Sequence, residues 1–98
     1  MHKNSIPRNE YTMTNIYIPQ LFQYNNAPAI IELLLDENVS NNVQYNILLM
    51  LDQYLQSTGF QGVRLFLTQG ILRFGLKHHH PNVQNLWNRI AMQYFNDW

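Results

Sequence analysis

Val43, Ile47, Met50, Leu51 and Tyr54 recur at i, i+4, i+7, i+8 and i+11. That spacing is the apolar face of an α-helix, because a strand would scatter these positions over both faces of a sheet. Asn42, Asn46 and Gln53 fall on the opposite side. Asn41 followed by Gln44 reads as an amide version of a capping box. Ser57-Thr58-Gly59 supplies the stop, with Gly59 suited to a left-handed cap.

The neighbouring segments carry the same period. Pro19 to Tyr24 reads as a short helix with Pro19 at its first position, where the missing N–H is not needed. Pro28 opens a second helix reaching about Asn38. Its Ile30, Ile31, Leu33, Leu34 and Leu35 wrap nearly the whole circumference, so the helix should lie near the centre of the domain. His80-Pro81 starts the last helix, whose stripe is Val83, Leu86, Trp87, Ile90, Ala91 and Tyr94. Gln84, Asn85, Asn88 and Arg89 face outward.

Residues 61–77 admit two readings. Val63, Phe66, Leu67, Gly70, Ile71 and Phe74 fit a helical stripe, with Leu65, Leu72 and Leu76 on a second apolar face. The alternative is a hairpin of Val63–Thr68 and Ile71–Leu76 turned at Gln69-Gly70. Leu65, Phe66 and Leu67 are consecutive, which breaks strand alternation, and Gln-Gly is a weak hairpin turn, so the helix is favoured.

The fold class expected is therefore all-α: a compact bundle of four main helices plus a short N-terminal helical segment. Two consecutive leucine-faced helical hairpins over residues 28–96 resemble a pair of stacked HEAT or armadillo units, on helix lengths and apolar stripes alone. No motif repeats between the halves. Residues 1–17 are polar, contain Pro7 and show no helical stripe, so they are expected to form a flexible or extended arm before a single helical domain at 18–98.

Composition narrows the function. With no Cys there is no disulfide scaffold, thiolate metal site or cysteine nucleophile. No apolar run reaches the length of about eighteen residues needed to cross a bilayer, and Met1-His2-Lys3-Asn4-Ser5 does not open a secretory signal. An intracellular, cytoplasmic location is the expectation. Lys+Arg and Asp+Glu are six each, and charged residues are 12% of the chain, against the usual share of about 25%. Thirteen Asn and nine Gln replace them, so long-range steering of a charged ligand should be weak. The charges are nonetheless polarised. No Lys or Arg occurs from Asn9 to Val63, and no acid from Gln53 to Asn96.

Sites of chemistry are sparse. His78-His79-His80 could offer two nitrogens to a metal, but only His2 and Asp97 could complete a ligand set, so the triplet reads as a solvated junction. Glu32 and Asp36 share a helix edge beside Glu37. With nothing to complete an acid–base site, they read as an exposed edge or as partners for Arg64 or Arg73. Three serines and four glycines form no nucleophile elbow or phosphate loop. Asn38-Val39-Ser40 is a chance match to a glycosylation acceptor. No enzyme, cofactor, metal or small-molecule substrate is expected.

Two binding readings remain. Tyr11, Tyr17, Tyr45 and Trp98 lie off the main stripes or in the tails, Phe95 and Trp98 should close the core edge or lie exposed for a partner, and Tyr and Trp favour interfaces. They nominate a protein–protein interaction module, an adaptor or complex subunit that binds another protein or itself. The alternative is a nucleic-acid-binding accessory protein using Arg73, Lys77, His78 and Arg89.

Overall fold

The computed structural model describes residues 9–96. Its helices are α1 (Glu10–Thr12), a π-turn (Met13–Tyr17), α2 (Ile18–Gln23), α3 (Ala27–Leu35), α4 (Asn41–Thr58), α5 (Phe60–Thr68), α6 (Leu72–Gly75) and α7 (Pro81–Tyr94). No strand occurs among the described residues.

The first difference from expectation is at the N-terminus. Residues 10–17 are helical, not extended, and α1, the π-turn and α2 run on without a break. Asn9 starts this helix by accepting the Thr12 amide on its side chain at 3.0 Å. Pro19 therefore does not open a helix; it sits well inside one. A helix-interior proline lacks the N–H and clashes with the carbonyl four residues back, here that of Asn15. Just ahead of it the helix widens, and the Ile18 amide bonds to the Met13 carbonyl, five residues back. The wider turn places Met13, Ile18 and Leu21 in the core. Residues 1–8, the rest of the expected arm, lie outside the described residues.

Two helix ends are closed by the same device. After α2, Asn25 takes φ 57°, and the Asn26 and Asn25 amides bond back to the carbonyls of Leu21 and Phe22. After α5, Gly70 takes φ 90°, and the Ile71 and Gly70 amides reach the carbonyls of Phe66 and Leu67. Both are Schellman closures, which need a residue tolerant of positive φ. The second one settles residues 61–77: the segment is helical, but Gly70 divides it into α5 and α6.

Between α4 and α5 there is a single residue. Gly59 has φ 63° and ψ −137°, a region that is essentially glycine-only, and so turns the chain sharply. At the other end of α4 the cap is Ser40, whose hydroxyl accepts the Val43 amide at 3.2 Å, and not the expected Asn41–Gln44 box. Gln44 is buried and used elsewhere. Its Nε2 donates to the Leu34 carbonyl at 3.2 Å, while Lys77 Nζ donates to the Leu35 carbonyl at 2.7 Å. These two side chains serve the last carbonyls of α3, which have no partner within their own helix.

The hub of the core is α4 and not α3. It packs against α2, α3, α5, α7 and the π-turn, and it buries Ile47, Leu48, Leu51 and Leu55. Phe22, Tyr54 and Phe66 form an aromatic trio with ring centroids 5.5–6.3 Å apart. Trp87 stands edge-on to Phe74 at 5.4 Å and lies 5.9 Å from Phe95.

Candidate interaction surface

The residues nominated from the sequence separate once folded. Tyr11 is 71% exposed. Tyr17 is half-buried against the core. Phe95, only 4% exposed, closes the core edge on Trp87 and does not lie exposed for a partner. Trp98 lies outside the described residues. Tyr45 is partly exposed on α4.

The N-terminal helix carries a surface that the sequence reading missed. Ile16 is 51% exposed and Tyr24 74%. The π-turn fits more residues into each turn and so advances by a smaller angle per residue, which brings residues five apart, Tyr11 and Ile16, toward the same outward side. Asn15, Gln20 and Gln23 are exposed on the same helix. Asn15 Nδ2 donates to the Tyr11 carbonyl at 2.9 Å. The outward side thus combines two tyrosines and an isoleucine with amides, and Glu10 at its start is its one charge among the described residues. The helix was legible: Asn9 precedes an acid, and Met13, Tyr17 and Leu21 recur at spacings of four.

A second feature lies between α4 and α7. Tyr45, Asn82, Asn85, Leu86 and Arg89 line an open depression of about 350 Å³. Farther along, Asp52 of α4 meets Arg89 and Tyr94 of α7. The two helices therefore run parallel. Arg89 Nη1 stands 3.4 Å from Asp52 Oδ2, the arginine side chain being 52% exposed and the aspartate side chain 12%. This pair joins the acidic and basic halves of the sequence.

The basic residues have separate structural employment. Arg73 Nε donates to the Gly70 carbonyl at 3.2 Å. Lys77 closes α3, and Arg89 is held on α4. Among the histidines, His78 is exposed. His79 stacks on Phe74 at 4.0 Å, and its Nε2 lies 2.6 Å from the Phe74 carbonyl. His80 caps α7 by accepting the Asn82 amide on Nδ1. Among the described residues no three His, Asp or Glu side chains come together as a metal site. Glu32 is exposed, and it forms no ion pair with Arg64 or Arg73. None of the described helices is long and apolar enough to cross a membrane.

No family model matches the chain, and neither a curated protein nor a solved structure matches it.

Proposed function

We propose that this chain is a small non-enzymatic protein–protein interaction module, and that its contact surface is the outward side of the N-terminal helix. The observation that supports this reading is the joint exposure of Tyr11, Ile16 and Tyr24 among uncharged amides. Tyrosine suits a contact made and broken in water, because its ring is apolar and its hydroxyl can bond at the rim. Amides both donate and accept, and they carry no charge to desolvate. The complementary partner is a protein with an uncharged apolar face of its own. Tight binding to a highly charged polymer would not suit this surface.

The test is capture from native extract on the immobilised chain, with and without nuclease, in parallel with a triple variant, Tyr11→Ser, Ile16→Ser and Tyr24→Ser. Circular dichroism checks that the variant is folded. The expected result is a discrete protein retained after nuclease and lost by the variant. Retention by the variant, or loss on nuclease treatment, would overturn the assignment; the latter would return attention to Arg73 and Lys77.

A further inference from the structure

We infer that the depression between α4 and α7 is a second site, and that it binds the C-terminal carboxylate of a partner polypeptide. Its lining is chemically specific. Arg89 has five N–H donors, and one nitrogen, Nη1, is engaged by Asp52 at a long 3.4 Å. Nε and Nη2 have no acceptor among the described residues. The side-chain amides of Asn82 and Asn85 and the hydroxyl of Tyr45 also have no hydrogen-bond partner there, yet all of them line the same depression. Leu86 and the Tyr45 ring supply an apolar wall. The hollow is open and more polar than apolar, so it suits a polar chain end and not an apolar small molecule.

The ligand class follows from the charges. No acid lines the depression, and its only cation is a guanidinium, whose planar fork matches a carboxylate. Asp52 is not one of the lining residues and holds Arg89 through Nη1. A carboxamide can donate to a peptide carbonyl and accept from a peptide N–H, so Asn82 and Asn85 suit main chain.

Size favours a chain end over a crossing chain. Asn82 and Arg89 are seven residues apart on one helix, about 10 Å along its axis, the length of about three extended residues. At the Arg89 end the α4–α7 seam continues into the Asp52–Tyr94 contact, so an acidic residue stands where a longer chain would have to go on. A polypeptide ending at Arg89 and leaving past Asn82 finds the free Arg89 nitrogens at its carboxylate and the two amides along its main chain, and the acid beyond its end, Asp52, is already bonded to Arg89 and Tyr94. This site does not depend on the N-terminal helix, and either assignment can fail alone.

The experiment is a titration of the isotopically labelled full chain, followed by nitrogen–proton correlation spectra. The probe is acetyl-Gly-Ala-Leu with a free carboxylate. Its C-terminal amide, and an amidated peptide with an internal aspartate, are the comparisons. The free-acid probe should shift the side-chain signals of Arg89, Asn82 and Asn85 saturably. Both comparison peptides should bind at least tenfold more weakly. Arg89→Gln should abolish the shifts. Asn85→Ala, at an exposed position that leaves the Asp52 pair intact, should weaken binding severalfold and so guards against a folding artefact. Equal binding of the amide or of the internal aspartate, saturable shifts confined to other surfaces, or no saturable shift at millimolar probe would overturn the assignment.

Discussion

The Tyr94 hydroxyl donates to Asp52 Oδ1 at 3.1 Å, joining the last turn of α7 to the middle of α4. The same carboxylate holds Arg89 through its other oxygen. Burial first, then the bond to Asp52 and its charge, raise the Tyr94 phenol above its ordinary value of 10.0. Burial raises Tyr54 as well. The folded chain therefore keeps protons that the unfolded chain gives up. This stabilisation is fully present below pH 10.0, and it is lost as pH rises through the folded-state values. Urea unfolding should show stability falling above that pH. The fall should be shallower in Tyr94→Phe, with Tyr54 supplying the remainder; an unchanged slope would disprove the coupling.

Asp52 itself is a buried acceptor for two groups. Asp52→Ala takes the carboxylate from the Tyr94 hydroxyl and from Arg89 Nη1, leaving the hydroxyl only its long 3.4 Å bond to the backbone carbonyl of residue 52, and should cost about 1–3 kcal/mol. Asp52→Asn keeps an acceptor for Tyr94 and loses the ion pair. Because Arg89 is half in solvent, that loss should be no more than about 1 kcal/mol. Denaturant melts of the two variants should rank in this order.

Gly75 is a close-approach position. A Cβ built there would stand 2.6 Å from Trp87 Nε1, and Trp87 is packed against Phe74 and Phe95. Gly75→Ala should therefore displace the indole and destabilise by about 1–3 kcal/mol. A change in the near-ultraviolet circular dichroism of the aromatic residues should accompany it. A variant as stable as the parent would show that the ring has room to move.

Lys77→Met removes the donor that closes α3 and keeps much of the apolar stem. A loss of about 1 kcal/mol is expected in the denaturant melt. If Lys77 instead served phosphate, its removal would lower the salt slope of binding to a nonspecific duplex by about one, with no change in the melt.

Much of the fold was legible because helix-forming information is local. The stripes at Val43–Tyr54 and Val83–Tyr94 repeat with the helical period, and Pro81 sits where helices begin. The N-terminal helix resembles an arm in the sequence because Pro19 looks like a start signal. The π-turn that accommodates it leaves Ile16 exposed and buries Ile18, so residues 16–18 look like an apolar cluster and draw attention from the Met13, Tyr17, Leu21 spacing. Gly70 was ambiguous between a hairpin turn and a helix stop, since positive φ serves both. The candidate sites were less legible. Arg89 grouped with Arg73 and Lys77 by charge, yet the fold gives each its own partner.

The sequence by itself determined the class of structure: periodic apolar residues, proline starts and glycine stops act over one or two turns, and they dictate helices before any of these pack. Only the tertiary structure decided which surfaces remain. Phe95 and Tyr11 are both aromatic residues near a chain end, but the Trp87 ring covers one and nothing among the described residues hides most of the other. Likewise Tyr45 and Arg89 are 44 positions apart in sequence and meet only because α4 and α7 lie side by side. Exposure and convergence depend on contacts between distant segments, and no local pattern of residues encodes them.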